Sequence, residues 1–174
     1  MTSEHSIQKT IHNSIRRNMF ESEKKSYYKV YHSSNEKFTQ FKLEKITNLG
    51  GDLYGKGFYF TDNLNYSENF GKITYECLVT LKNPLNLTNS NSKNQLTQLV
   101  NYINDIPEKD LEYISGSIQN NSFTTAFRKI RDFISFESLH ELYDGVIGWS
   151  EEGGREYIVY NPKNIKITNI TVSE

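Results

Sequence analysis

Apolar positions along the chain follow two periods. From 73 to 81, Ile73, Tyr75, Cys77, Val79 and Leu81 fall on one side. Thr74, Glu76 and Thr80 fall on the other, with Leu78 the exception. A period of two with one apolar side predicts a half-buried strand. Runs rich in aromatic and β-branched residues predict further strands at 26–32, 57–61, 144–149, 156–161 and 164–172. In the last of these, Ile165 and Ile167 share one side but Ile170 and Val172 share the other, so a bulge or break is expected near Asn169. Helical spacing predicts a narrow-striped helix within 4–25, carrying Ile7, Ile11, Ile15 and Met19, and helices at about 95–105, 108–120 and 123–143. Asp62 or Asn63 is placed to cap a further helix running to about Phe70.

The connections follow from their composition. Residues 33–56 predict a loop with at most one helical turn, and Pro84 ends the strand before it. Residues 88–95 read as a polar linker, and Gly153-Gly154 as a hairpin-like turn. Strands, then helices, then strands make an α+β fold with a split or mixed sheet rather than alternating βα units. The chain of 174 residues divides into an N-terminal helical extension, 1–25, and one domain over 26–174 with a helical insertion at about 90–143.

Composition narrows the chemistry. A net charge of −1 with 36% hydrophobic residues excludes a wholly disordered chain. One cysteine excludes an intrachain disulfide and a Cys-rich zinc site, and four scattered histidines predict no metal centre. Cys77 lies on the apolar side of its strand and reads as a structural thiol. No apolar run is long enough to span a bilayer and no Sec-type signal is visible, so a cytoplasmic protein is expected. Basic residues outnumber acidic ones in 1–46, whereas the remainder is acidic.

Phosphate-loop, dinucleotide-fold, zincin and nucleophile-elbow motifs are absent. Three segments stand out: Tyr31-His32-Ser33-Ser34; Gly55-Lys56-Gly57-Phe58-Tyr59-Phe60-Thr61-Asp62 with Ser67 and Phe70 beyond it; and Arg155-Glu156-Tyr157-Ile158-Val159-Tyr160-Asn161. In this order they resemble the three motifs of the poly(ADP-ribose) polymerase-like and diphtheria-toxin-like ADP-ribosyltransferases, whose triad is His, Tyr and Glu on separate strands. The resemblance covers roughly 26–82 and 144–172. Tyr143-Asp144-Gly145 and Asn161-Pro162-Lys163-Asn164-Ile165-Lys166 are similar to small bacterial and phage-type members.

The resemblance implies NAD as co-substrate and no metal. Glu156, Tyr59 and His32 would be catalytic. His32, Ser33, Ser34, Tyr59, Ser67, Phe70 and Glu156 would bind NAD, with Lys56 and Arg155 as candidate pyrophosphate contacts. The implied activity is transfer of a single ADP-ribose to a macromolecule, as in a toxin or effector. The alternatives are an NAD glycohydrolase or a non-catalytic NAD or ADP-ribose-binding module. Three departures stand in the motifs: Ser33 where the family has Gly, Phe70 where Tyr is usual, and Tyr66 where polymerising members have Lys. Acceptor choice is expected to lie with loops 35–56 and 145–155. Glu151 and Glu152 tilt it toward protein, with RNA and DNA open.

Overall fold

The computed structural model describes residues 26–46 and 53–173. The expected helix within 4–25 and the glycines at 50 and 51 lie outside the described residues. Seven strands form one sheet: β1 (Ser26–Ser34), β2 (Phe58–Thr61), β3 (Ile73–Leu81), β4 (Pro84–Asn86), β5 (Gly145–Trp149), β6 (Arg155–Val159) and β7 (Ile165–Val172). Their order is β4-β5-β6-β2-β1-β3-β7. Only β4 and β5 run parallel, so the sheet is mixed.

The sheet is nearly severed in its middle. β1 and β3 pair over nine rungs, from Ser26↔Leu81 to Ser34↔Ile73. β1 and β2 share a single rung, Tyr31↔Thr61. Beyond it the strands diverge, and the two halves pack against each other. Val30, Tyr75, Cys77, Val79 and Leu81 of one half form a core with Phe58, Phe60, Ile147, Tyr157 and Val159 of the other. The Tyr28 and Tyr157 rings meet across that core at 4.9 Å. Alternation explains this: each strand donates every second side chain to the shared interior.

The opposite face of the β4–β5–β6–β2 half carries the helices. They are α2 (Ser92–Tyr102), α3 (Glu108–Gln119), α4 (Phe123–Ile130) and α5 (Phe136–Leu142), between β4 and β5. Leu96, Leu99, Ile114, Ile118, Phe127 and Ile130 close over Val146, Ile158 and Tyr160. The short helix α1 (Leu64–Ser67) follows β2, with Asn63 as its cap: its side-chain oxygen accepts from the Tyr66 amide at 3.2 Å.

Several expectations are corrected. β3 stops before Pro84 as expected, but Pro84 opens an unforeseen strand, β4, because the parallel neighbour β5 supplies partners and an edge position tolerates a missing N–H. The polar stretch from 88 is shorter than expected. Ser92 is already helical and fully buried, its hydroxyl donating to the Asn86 and Asn89 carbonyls. The single helix expected at 123–143 is two. Ile134 is extended, and Ser135 caps a new start by accepting from the Ser138 amide at 3.1 Å. The bulge expected near Asn169 is present, at Thr168. Glu76 faces Asn169 and Cys77 faces Ile167, which leaves Thr168 unpaired with its hydroxyl on the Glu76 carbonyl.

Candidate functional site

β2 and β6 place the second and third motifs side by side. Tyr59 pairs with Ile158, and Thr61 with Glu156. Directly paired residues share a face, so Tyr59 and Glu156 both project toward the helices. Tyr59 is half-buried, and its hydroxyl donates to the Gly55 carbonyl at 2.6 Å. That bond fixes the phenol at the mouth of the loop before β2. Gly55 has φ +93, a conformation that favours glycine.

Glu156 is half-buried, and no hydrogen bond or ion pair to its carboxyl is present among the described residues. Burial, and secondarily the Glu151 carboxylate, raise its pKa above the ordinary glutamate value. Two tyrosines lie close enough to feel its charge. Tyr54 and Tyr66 both titrate high, chiefly through burial and secondarily through interactions that include Glu156.

Tyr54 is fully buried and lies over Gly148, the residue paired with Glu156 on β5. Its hydroxyl donates to the Trp149 carbonyl at 2.7 Å and approaches Thr124 Oγ1 at 3.2 Å. The start of β6 is held by Asp62, whose Oδ1 accepts from the Arg155 amide at 2.7 Å. Asp62 Oδ1 also lies 2.8 Å from where a Cβ on Gly154 would stand. Tyr54 and Asp62 thus brace Glu156 from two sides. The sequence held Asp62 in the second segment and Tyr54 just before it, but nothing in the spacing indicated which strand each would brace.

His32 does not share the face of the other two. Its parity matches Val30, and it pairs with Tyr75 on the interior side. Phe41 stands edge-on to the imidazole at 5.3 Å, with Phe60 at 5.7 Å and Phe38 at 6.0 Å. Tyr75 anchors this nest, stacking on Phe38 at 4.1 Å, accepting from the Phe38 amide and donating to the Glu36 carbonyl. What joins His32 to the site is one bond, from Nδ1 to the Tyr59 carbonyl at 2.9 Å, across the divergence of β1 and β2. Because a carbonyl only accepts, Nδ1 carries the hydrogen. Burial depresses the imidazole's basicity despite that bond, so the neutral form with an accepting Nε2 is favoured.

The serines cluster behind the strands. Ser33 Oγ meets Ser67 Oγ at 2.8 Å and Thr74 Oγ1 at 2.9 Å, all three residues buried. The hydroxyl that replaces the family's glycine therefore ties β1, α1 and β3 together. Ser67, expected to bind NAD, already has one bond engaged there. Ser34 Oγ accepts from the Glu36 amide at 3.0 Å, and its backbone lies so close to Gly71 that a methyl group at 71 would collide with it. Phe70 is 57% exposed, with the Tyr66 ring edge-on at 5.1 Å. Arg155 lies over the Trp149 ring at 5.6 Å, and Lys56 over Phe136 at 5.8 Å.

Tyr59 and Glu156 are thus brought to one face, with His32 on the other and linked through backbone. Two surface cavities of about 320 and 660 Å³ are lined by other residues, around α3, α4 and Trp149. Among the described residues no cluster of three or more His, Cys, Asp or Glu could hold a metal ion. No helix among them is long and apolar enough to cross a membrane. Cys77 is buried and its thiol is pushed up to about 12, which suits packing and not nucleophilic attack.

No curated protein matches the chain. Among solved structures, one described as a crystal structure of an anti-CRISPR protein is similar at 14% identity and a TM-score of 0.41, over 78% of this chain and 91% of that one. The family model described as ADP-ribosyltransferase in polyvalent proteins matches residues 23–172, a span that holds all three motif segments and all seven strands, and the chain belongs to that family.

Proposed function

We propose that this chain cleaves the nicotinamide–ribose bond of NAD and transfers the ADP-ribose to a macromolecular acceptor. The observation that carries this reading is the half-buried carboxyl of Glu156, without a partner among the described residues, on the same sheet face as the Tyr59 phenol. In the step proposed, the C–N glycosidic bond breaks with its electron pair leaving on nicotinamide. The ribose C1′ becomes cationic, as in glycoside cleavage. An acceptor nucleophile then bonds to C1′ and loses its proton.

Each residue has a physical task in that step. Glu156 stabilises the developing positive charge, and its burial strengthens the interaction by excluding water. Tyr59 and Phe70 offer aromatic faces to the planar, cationic nicotinamide ring. His32 presents an accepting Nε2 to a ribose hydroxyl and orients the nucleotide. The backbone of Ser33 and the remaining hydrogen-bonding capacity of Ser67 serve the carboxamide, and Ser34 the adenosine side. The reaction as written needs no metal.

The test is incubation with NAD labelled in the adenine portion, plus cell extract. Nicotinamide release and label on protein or nucleic acid are read for wild type and Glu156→Gln. Transfer lost in the variant supports the reading. Equal amounts of free ADP-ribose and nicotinamide, without labelled acceptor, would indicate a glycohydrolase. Binding without nicotinamide release would indicate a non-catalytic module.

A further inference from the structure

The helices inserted between β4 and β5 carry a feature apart from His32, Tyr59 and Glu156. On α3, Lys109 and Tyr113 are four residues apart and so share one side. On α4 and the turn after it, Thr125, Arg128, Lys129 and Arg131 line the facing slope. Between them lies a cavity of about 660 Å³, within the size range of sites for small organic ligands. Its acids are Asp110 and Asp132, and both are engaged by Lys129, at 3.0 and 3.2 Å. The cavity's surplus is therefore basic, in a chain whose net charge is −1. Tyr113 adds an aromatic ring that is 54% exposed.

This cavity also connects to the candidate site. The Arg131 guanidinium lies beside Gly55, its Nε 3.5 Å from where a Cβ would stand. The Gly55 carbonyl is the acceptor of the Tyr59 hydroxyl. One residue before Thr125, Thr124 meets the Tyr54 hydroxyl that braces the Glu156 strand. Helix α4 thus runs from the support of Glu156 to the rim of this basic groove.

We infer that the groove between α3 and α4 binds a nucleotide phosphate, with Lys109 and Arg128 contacting the anion and Tyr113 stacking on the adjoining base. Exposed cations with an interleaved aromatic ring are the chemistry that holds a nucleotide strand without reading its sequence. Two sources share that chemistry: a single-stranded nucleic-acid acceptor, and the phosphates of NAD itself. The placement within the reaction rests on the function proposed above, whereas the binding does not.

The experiment compares the full chain with Lys109→Gln/Arg128→Gln and with Tyr113→Ala. All three side chains are exposed, so the fold is expected to hold, which melting curves check. Binding of a fluorescent twelve-nucleotide single strand is measured across a salt series, together with the KM for NAD in nicotinamide release. At least about tenfold weaker strand binding in each variant is expected. The double variant should also show a shallower salt dependence, by about one unit of slope per lost contact. Unchanged strand binding with a raised KM for NAD assigns the groove to the phosphates of NAD and retains the site. Neither quantity moving, or no strand binding by wild type with an unmoved KM, overturns it. Glu156→Gln should bind the strand as wild type does. A chain that binds the strand but releases no nicotinamide would sink the catalytic reading and leave the groove standing.

Discussion

Nδ1 of His32 donates to the carbonyl oxygen of Tyr59 across 2.9 Å, at the point where β1 and β2 part after a single shared rung. The bond couples the first motif to the second through the Tyr59 backbone. It also selects the tautomer, leaving Nε2 with a lone pair aimed elsewhere.

The first prediction follows from that relationship. The aromatic enclosure lowers the imidazole's folded-state pKa below the ordinary 6.5. Stability linked to neutral His32 is therefore fully present above 6.5 and is lost as pH falls through the lowered value. An NMR titration of the imidazole should give a midpoint below 6.5, and one at or above 6.5 would contradict the assignment. His32→Ala should reduce nicotinamide release by about 100-fold, the scale of a misplaced reactant.

Glu156→Gln is expected to lower nicotinamide release by about 10²–10³-fold, the cost of one electrostatic stabiliser. Its effect on stability should have the opposite sign. A carboxyl whose folded-state pKa is raised favours folding when protonated, and that contribution fades as pH rises through the raised value. At neutral pH the variant should melt at or above the wild-type temperature. Because activity needs the carboxylate, the acid limb of the rate profile should lie above that of an ordinary glutamate. Glu151→Gln removes the neighbouring like charge and should move this limb to lower pH. A limb that stays in place would exclude Glu151 as a cause.

A single substitution at two glycines should act in opposite directions. A methyl group on Gly148 would collide with the Tyr54 ring, whereas Gly116 on α3 has open space around it. Gly148→Ala should cost about 1–3 kcal/mol by overpacking. It should also slow nicotinamide release, since Gly148 is the rung partner of Glu156. Gly116→Ala should stabilise the protein by about 0.4–1 kcal/mol by restricting the unfolded chain. Urea melts of the two variants check both signs.

Local pattern foretold most strands, because alternation and β-branched runs report burial directly. Tyr75, Cys77, Val79 and Leu81 were legible as one face, and they are that face. Features that depend on a distant neighbour were not legible. β4 exists because β5 lies beside it, and a proline alone reads as a stop. The break between α4 and α5 rests on the Ser135 cap, which resembles any other serine in a helical stretch. For the candidate site, the residue types were readable from motifs but their directions were not. The parity of His32 with Val30 opposes it to Tyr59 only once the register of β1 with β2, Tyr31 on Thr61, is known. Tyr54 carried no signal, because its role depends on Gly148, ninety-odd residues away.

Ser33 offers a separate check on what the departure from glycine does. Its hydroxyl bridges Ser67 and Thr74, both buried. Ser33→Ala leaves those two hydroxyls short of a partner and should cost about 1–3 kcal/mol. If the serine acts on NAD through its backbone alone, the KM for NAD should change little in the same variant. A large KM change with unaltered melting would place the hydroxyl in the nucleotide site instead.

Phe70 supplies the converse case, an aromatic residue whose removal should leave stability alone. At 57% exposure, with the Tyr66 ring edge-on beside it, it contributes little to any core. Substitutions at such positions usually shift stability by less than about 0.5 kcal/mol. An exposed ring that closes over a cationic heterocycle, however, gains up to about 2 kcal/mol when water leaves the contact. Phe70→Ala should therefore raise the KM for NAD by up to about 30-fold while the melting temperature stays within a degree or two. Phe70→Tyr keeps the π-face and should restore the wild-type KM. Should alanine lower the melting temperature and leave the KM unmoved, Phe70 would be a packing residue, and Tyr59 would face the nicotinamide ring without it.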